Sequence, residues 1–107
     1  MRTSYTAVIE RNVIIKGDFS TEPYECGWAS EAVIFVRSLN GSLAGAEGRV
    51  QISPDGMNWC DEGTRLPLPG RNELTFCRVA GFGNWLRIVG DTGDKSGGVI
   101  VTMHIKE

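Results

Sequence analysis

Hydrophobic and polar positions alternate along this chain over short runs, and glycines separate the runs. The last run is the clearest, because Val99, Val101, Met103 and Ile105 share one face of an extended strand and the residues between them share the other. Glycine occurs 14 times in 107 residues, and no run has a clear helical period. The pattern therefore predicts an all-β protein.

The alternating runs predict about eight short strands, at Tyr5–Ile9, Asn12–Lys16, Glu31–Leu39, Gly48–Ser53, Asn58–Glu62, Glu73–Val79, Trp85–Val89 and Val99–Lys106. Short strands with this spacing are typical of a two-sheet antiparallel β-sandwich, here of jelly-roll-like form. The length fits a single domain over residues 1–107. We expect Thr64–Asn72 to be an extended connection and Asp91–Gly98 to be a polar loop.

The run Ala32–Val36 is apolar at every position, so both faces of the strand that it predicts are apolar. An antiparallel sandwich strand normally has one polar, solvated face. The run therefore indicates a central strand or one whose outer face a partner covers, and it favours assembly.

Ser53-Pro54-Asp55-Gly56 has the composition of a tight turn, because proline fixes φ and Gly56 tolerates a positive φ. We predict a hairpin with a type I turn and a glycine bulge. The alternation on either side predicts that Met57 and Trp59 share one face and pack against Val50 and Ile52.

Charge and cysteine content narrow the classes of function. A net charge of −2 gives no attraction to nucleic acid or to an anionic membrane, and no apolar run is long enough to span a bilayer. The first residues lack a secretion signal, so we expect synthesis in the cytoplasm. The odd number of cysteines, Cys26, Cys60 and Cys77, favours reduced thiols that behave as small hydrophobic residues.

The residues offer little for catalysis. His104 is the only histidine, and the best carboxylates occur in turns or at strand ends, at Asp55, Asp61, Glu62, Asp91 and Asp94. The spacing of Asp91 and Asp94 is not that of a calcium loop. We expect no catalytic residue, no metal site and no cofactor.

Three aromatic residues, Tyr24, Trp28 and Phe82, lie in or beside predicted loops that contain glycine. Such side chains could contact a ligand or a partner, and they could equally close the open ends of the sandwich. Both interpretations remain open from the sequence.

Two segments, VQISPDGMNW and GFGNWLRIVG, resemble parts of known β-sandwich families. They are similar to discoidin-like and related carbohydrate-binding modules, and to small β-sandwich proteins of tailed-phage virions that have an S-x-D-G-x-x-W hairpin. The resemblance spans Val50 to Val89. It implies that Gly56, Trp59, Trp85 and Arg87 are scaffold residues rather than ligand contacts.

These observations predict a non-catalytic structural or binding subunit of a larger assembly, most concretely a phage capsid decoration protein or another virion protein. We expect protein partners, through self-association, for which a trimer is one possibility, and through a larger scaffold such as a capsid. The alternative is a carbohydrate-binding module that binds a glycan.

Overall fold

Strands make up most of the chain, and no helix occurs in residues 4–107, which are those described by this computed structural model. The strands are β1 (Ser4–Ser20), β2 (Tyr24–Glu25), β3 (Glu31–Gly41), β4 (Glu47–Ser53), β5 (Cys60–Pro67), β6 (Leu74–Ala80) and β7 (Trp85–Lys106). All pair antiparallel, in a sheet that nearly closes on itself. The all-β, sandwich-like prediction is confirmed, with seven strands rather than eight.

Strand β7 belongs to both halves of the sheet. Its residues 85–90 pair with β4, and its residues 97–106 pair with β3. Along its other edge, β1 and then β2 pair with it over nearly its whole length. The strand order is β5-β4-β7-β3-β6, yet the two outermost strands, β5 and β6, lie beside each other. The sheet therefore curls and encloses a core between its halves.

The bend in β7 is a corner at residues 92–95, which stand opposite the single residue Gly17 of β1. The buried Thr92 hydroxyl accepts a hydrogen bond from Gly17 N–H and donates one to the Lys95 carbonyl, each at 2.7 Å. Gly17 and Gly93 have φ of 67° and 64°, which glycine adopts without a steric penalty. The polar loop predicted at Asp91–Gly98 is thus a corner inside one strand.

The first two predicted strands are also one strand. Register shifts between Val8 and Glu10 and between Glu10 and Val13 absorb the residues that do not fit the ladder. Asn12 lies in this irregular stretch with φ of 54°, a conformation that asparagine tolerates better than most residues. The bulges let β1 follow β7 without interruption.

The core consists of apolar side chains from both halves. Its fully buried members are Ile34, Val36, Leu43, Val50, Leu66, Leu86, Val99, Val101, Met103 and Ile105, with Cys26. All three cysteines are free, and Cys26 and Cys77 are buried as predicted. Burial raises the pKa of Cys26 to about 12 and that of Cys77 to about 11. Cys60 is exposed, contrary to expectation, because it is the first residue of β5 and lies outside the core.

The hairpin between β4 and β5 differs from its prediction. Its ladder begins with Ile52 opposite Cys60, so the connection is longer than a tight turn. The predicted packing of Met57 is wrong, because Met57 lies in this connection and is 78% exposed. Strand β5 also runs to Pro67, so the predicted extended connection begins only after that residue.

We predict that Thr92→Val destabilises the fold by about 1–3 kcal/mol, because it leaves Gly17 N–H and the Lys95 carbonyl without their partner. The free energy of unfolding in urea measures the loss. Thr102→Val, the same change on the outer face of the same strand, is the control. An equal effect for the two variants would contradict the role given to the corner.

We also predict that iodoacetamide modifies Cys60 in the native protein, whereas Cys26 and Cys77 react only after unfolding. Burial restricts access to these two thiols, and their raised pKa keeps the reactive thiolate scarce at about pH 8. Peptide mass spectrometry identifies the modified residue, and Cys60→Ser should abolish native-state labelling. Rapid labelling of Cys26 in the folded protein would contradict this burial.

Candidate interaction surface

The outer side of the β1-β7-β3-β6 half carries a continuous group of apolar side chains. In β3, alternate residues face inward, and the residues between them face outward. The neighbouring strands β1, β6 and β7 alternate in the same way. We call the outward-facing apolar residues of these four strands the apolar face. It consists of Val8, Val33, Phe35, Leu39, Leu74, Phe76 and Ile100.

Strand register brings these side chains together. Phe35 stands opposite Phe76 on β6 and opposite Thr102 on β7, and Thr102 stands opposite Val8 on β1. The rings of Phe35 and Phe76 lie 5.9 Å apart, and the His104 ring meets Phe35 edge-on at 5.2 Å. A row of apolar groups therefore crosses four strands.

Much of this apolar area is open to solvent. Eight large hydrophobic residues are exposed in residues 4–107, and Leu74 and Phe76 are among them at 55% and 45%. Val8 and Leu39 of the apolar face are two more, and Ile14 continues it towards the corner. A shallow depression of about 820 Å³ lies over Phe35 and Phe76. Large contiguous apolar patches are uncommon on the surface of monomeric soluble proteins.

Arginine side chains border the apolar face. Arg37 and Arg78 are exposed, and within residues 4–107 neither forms an ion pair. The Arg78 guanidinium instead lies 5.0 Å from the centroid of the Phe76 ring. Lys106 and one carboxylate, Glu31, also line the depression, so cations outnumber carboxylates at this border although the whole chain has a net charge of −2.

The other half of the sheet has a polar outer face whose groups bind one another. Arg87 donates two hydrogen bonds to Gln51 Oε1, at 2.9 and 2.7 Å, and stacks on the Trp59 ring at 4.2 Å. Gln51 and Arg49 in turn donate to Asp61 Oδ1, at 2.9 and 3.2 Å. The hydrogen bond from Gln51 lowers the pKa of Asp61. This network covers the outer face of the β4–β5 half with polar groups that bind one another.

The S-x-D-G-x-x-W segment forms the connection between β4 and β5, and hydrogen bonds from its backbone N–H groups to its own side chains hold its shape. Ser53 Oγ accepts from the N–H groups of Asp55 and Gly56. Asp55 Oδ1 accepts from the N–H groups of Met57 and Asn58, each at 2.9 Å. These hydrogen bonds hold the pKa of the Asp55 carboxyl well below its usual range, and the bond from Asn58 N–H has the largest effect.

Two other residues of the segment, Gly56 and Trp59, contact β7 at Trp85 and Arg87. Gly56 has φ of 79°, and a Cβ there would lie 3.1 Å from Trp85 Cε2, so the backbone packs against that ring. Trp59 is half-buried on the Arg87 guanidinium. Gly56, Trp59, Trp85 and Arg87 thus join the β4–β5 connection to β7.

The three loop aromatics lie at one end of the molecule but differ in exposure. The segments that follow Cys26 and precede Trp85 are joined there by a hydrogen bond from Cys26 N–H to the Asn84 carbonyl. Phe82 is buried in the core, and Tyr24 is half-buried with a pKa that burial raises. Trp28 is 41% exposed and offers the largest free ring of the three.

Metal-ligating side chains and membrane-spanning helices both bear on the class of site. Residues 4–107 contain no group of three or more histidine, cysteine, aspartate or glutamate side chains that could hold a metal ion. The same residues include no helix long and apolar enough to cross a membrane.

Comparison with known proteins finds likeness in fold alone. No family model and no curated protein matches the chain. Among solved structures, the SPBc2 prophage-derived protein YomS has a TM-score of 0.65 at 11% identity, over 100% of this chain and 96% of that one. A protein of the disulfide-linked pili of Bacillus endospore appendages has a TM-score of 0.39 at 13% identity, over 98% and 82%. The fold is thus shared with a prophage-derived protein.

Sequence reasoning singled out part of the apolar face. The two-sided run Ala32–Val36 predicted a central strand or one with a covered outer face, and β3 is central, between β7 and β6. The contribution of β6 was missed. Its signal was present in Leu74-Thr75-Phe76-Cys77, where apolar residues occur on both faces of the strand.

We predict that Asp55→Asn destabilises the protein near neutral pH and that the difference from wild type narrows below about pH 4. The folded-state pKa is lowered, so the stabilisation is present above the unfolded pKa and is lost as the pH falls through the folded pKa. Urea unfolding at several pH values measures it. Asp94→Asn, in the exposed corner, is the control. A difference that stays constant down to pH 2 would contradict the assignment.

Proposed function

We propose that this protein is a non-catalytic structural subunit of a multi-protein assembly of the phage-virion type, and that the apolar face is its main contact surface. The observation that carries the proposal is the exposure of Leu74 and Phe76 beside Phe35 on a well-paired sheet. A fold shared with a prophage-derived protein supports it.

The charge at the border bears on how copies would meet. A two-fold contact of one apolar face with another would bring the arginines of both copies close together, and like charges oppose such contact. In a ring of three copies the face instead meets a different surface of its neighbour. We therefore favour a trimer that decorates a capsid or another scaffold, with carboxylates opposite Arg37 and Arg78.

A carbohydrate-binding role is the second candidate, and Trp28 is the observation that favours it. An exposed indole ring is the type of surface on which a sugar ring stacks. A glycan that quenches wild-type tryptophan fluorescence, but not that of Trp28→Ala, would support this role.

We expect light scattering over a concentration series to show an oligomer that Phe76→Lys weakens by roughly tenfold or more, because the contact would then bury an unpaired charge. Met57→Lys is the matched control, since it replaces an exposed apolar residue outside the apolar face with the same cation. The position of Phe76 at the surface should leave the fold of the variant intact.

The proposal predicts that Met57→Lys leaves the oligomer unchanged. A monomer at every concentration, or an oligomer on which Phe76→Lys and Met57→Lys act equally, would contradict self-association through the apolar face.

A further inference from the structure

The edge of β1 that faces away from β7 pairs with no other strand in the part of the chain described. β5 and β6 also have one unpaired edge each, but these two strands lie beside each other. An unpaired strand edge presents free N–H and C=O groups that can pair with another strand.

Only the first part of this edge is left unprotected. The first register shift of β1 falls at Ile9, and the Glu10 carboxylate accepts a hydrogen bond at 2.9 Å from the N–H of Glu22 in the segment that follows the strand. Charged residues continue along the same stretch at Arg11 and Lys16. Bulges and charges of this kind discourage edge pairing. Residues 4–9 have neither a charge nor a proline, and no bulge interrupts them before Val8.

We propose that a second copy of this chain pairs with this edge, so that residues 5–9 of the two β1 strands form an antiparallel two-fold ladder centred on Ala7. A strand that pairs antiparallel with its own copy gives an isologous interface. The chemistry recognised is the backbone of an uncharged strand, and the partner that carries it is the same segment of another protomer.

The side chains agree with this register. Tyr5, which is 55% exposed, stands opposite Ile9 of the partner subunit, the half-buried residue at which the register of β1 shifts, and can cover it. On the outer side Thr6 stands opposite Val8 of the partner subunit, so two β-branched residues meet. No charged residue has a like charge opposite it.

The dimer also extends a surface already described. Val8 belongs to the apolar face, so the ladder joins the apolar faces of two protomers into one sheet, in the order β6-β3-β7-β1 followed by the same strands in reverse. The proposal does not depend on the proposed function, because the edge pairs through backbone groups of β1, whereas the apolar face is a surface of side chains, of which Val8 alone also contributes to the edge.

Disulfide trapping tests the register. In a Cys60→Ser background, Thr6→Cys and Val8→Cys copies are mixed and oxidised with Cu²⁺-phenanthroline. The ladder places these two positions opposite each other, with Cβ atoms about 4.5–5.5 Å apart. The same position in the two copies, such as residue 6 with residue 6, is offset by two residues along the ladder. That separation is too large for an efficient disulfide. We expect the mixture to form several-fold more covalent dimer than either variant alone. It should also form several-fold more than Met57→Cys, which serves as the control for an exposed cysteine outside the edge.

Sedimentation velocity distinguishes this interface from the apolar face. The double variant Tyr5→Lys, Thr6→Lys adds cations along the edge and should weaken the dimer roughly tenfold or more, whereas Phe76→Lys should leave it. Circular dichroism confirms that each variant is folded. A wild-type monomer at about 1 mM would overturn the proposal, as would association lost only in Phe76→Lys or trapping no greater than that of Met57→Cys.

Discussion

The hydrogen bonds of the Thr92 hydroxyl at the corner of β7 are the constraint on which the rest of the architecture depends. One long strand serves both halves of the sheet, and a single buried side chain fixes where it changes its neighbour from β4 to β3. The bend brings β5 beside β6 and encloses the core. It also decides which two outer faces the molecule presents.

The two outer faces differ because the side chains of only one of them find their partners within the same molecule. On the β4–β5 side, Trp59, Arg87 and Gln51 stack and hydrogen-bond with one another. On the β3–β6 side, Phe35 and Phe76 contact each other but remain partly in water. Burial of apolar surface contributes about 25 cal/mol per Å². Covering this second face with another molecule would therefore add a stabilisation that the isolated protein lacks.

The sequence predicts what depends on local alternation and misses what depends on long-range register. The alternation of Val99 to Ile105 correctly placed the last stretch of strand, and the two-sided run of β3 agrees with its central position between β7 and β6. The corner was read as a loop because its glycines and charges look the same in either structure. Phe76 was missed because its role follows from a pairing with Phe35, a residue 41 positions earlier. Met57 was misplaced because the bonds of Asp55, rather than alternation, shape its segment.

The central claim is that the apolar face is buried in an assembly, and nuclear magnetic resonance of the protein over a concentration series tests it most directly. The account predicts that the Leu74 and Ile100 methyl signals and the Phe76 ring signals shift together as concentration rises, while the Met57 methyl signal does not. Shifts confined to Trp28, or no shift at any residue of the apolar face in an associated sample, would contradict it.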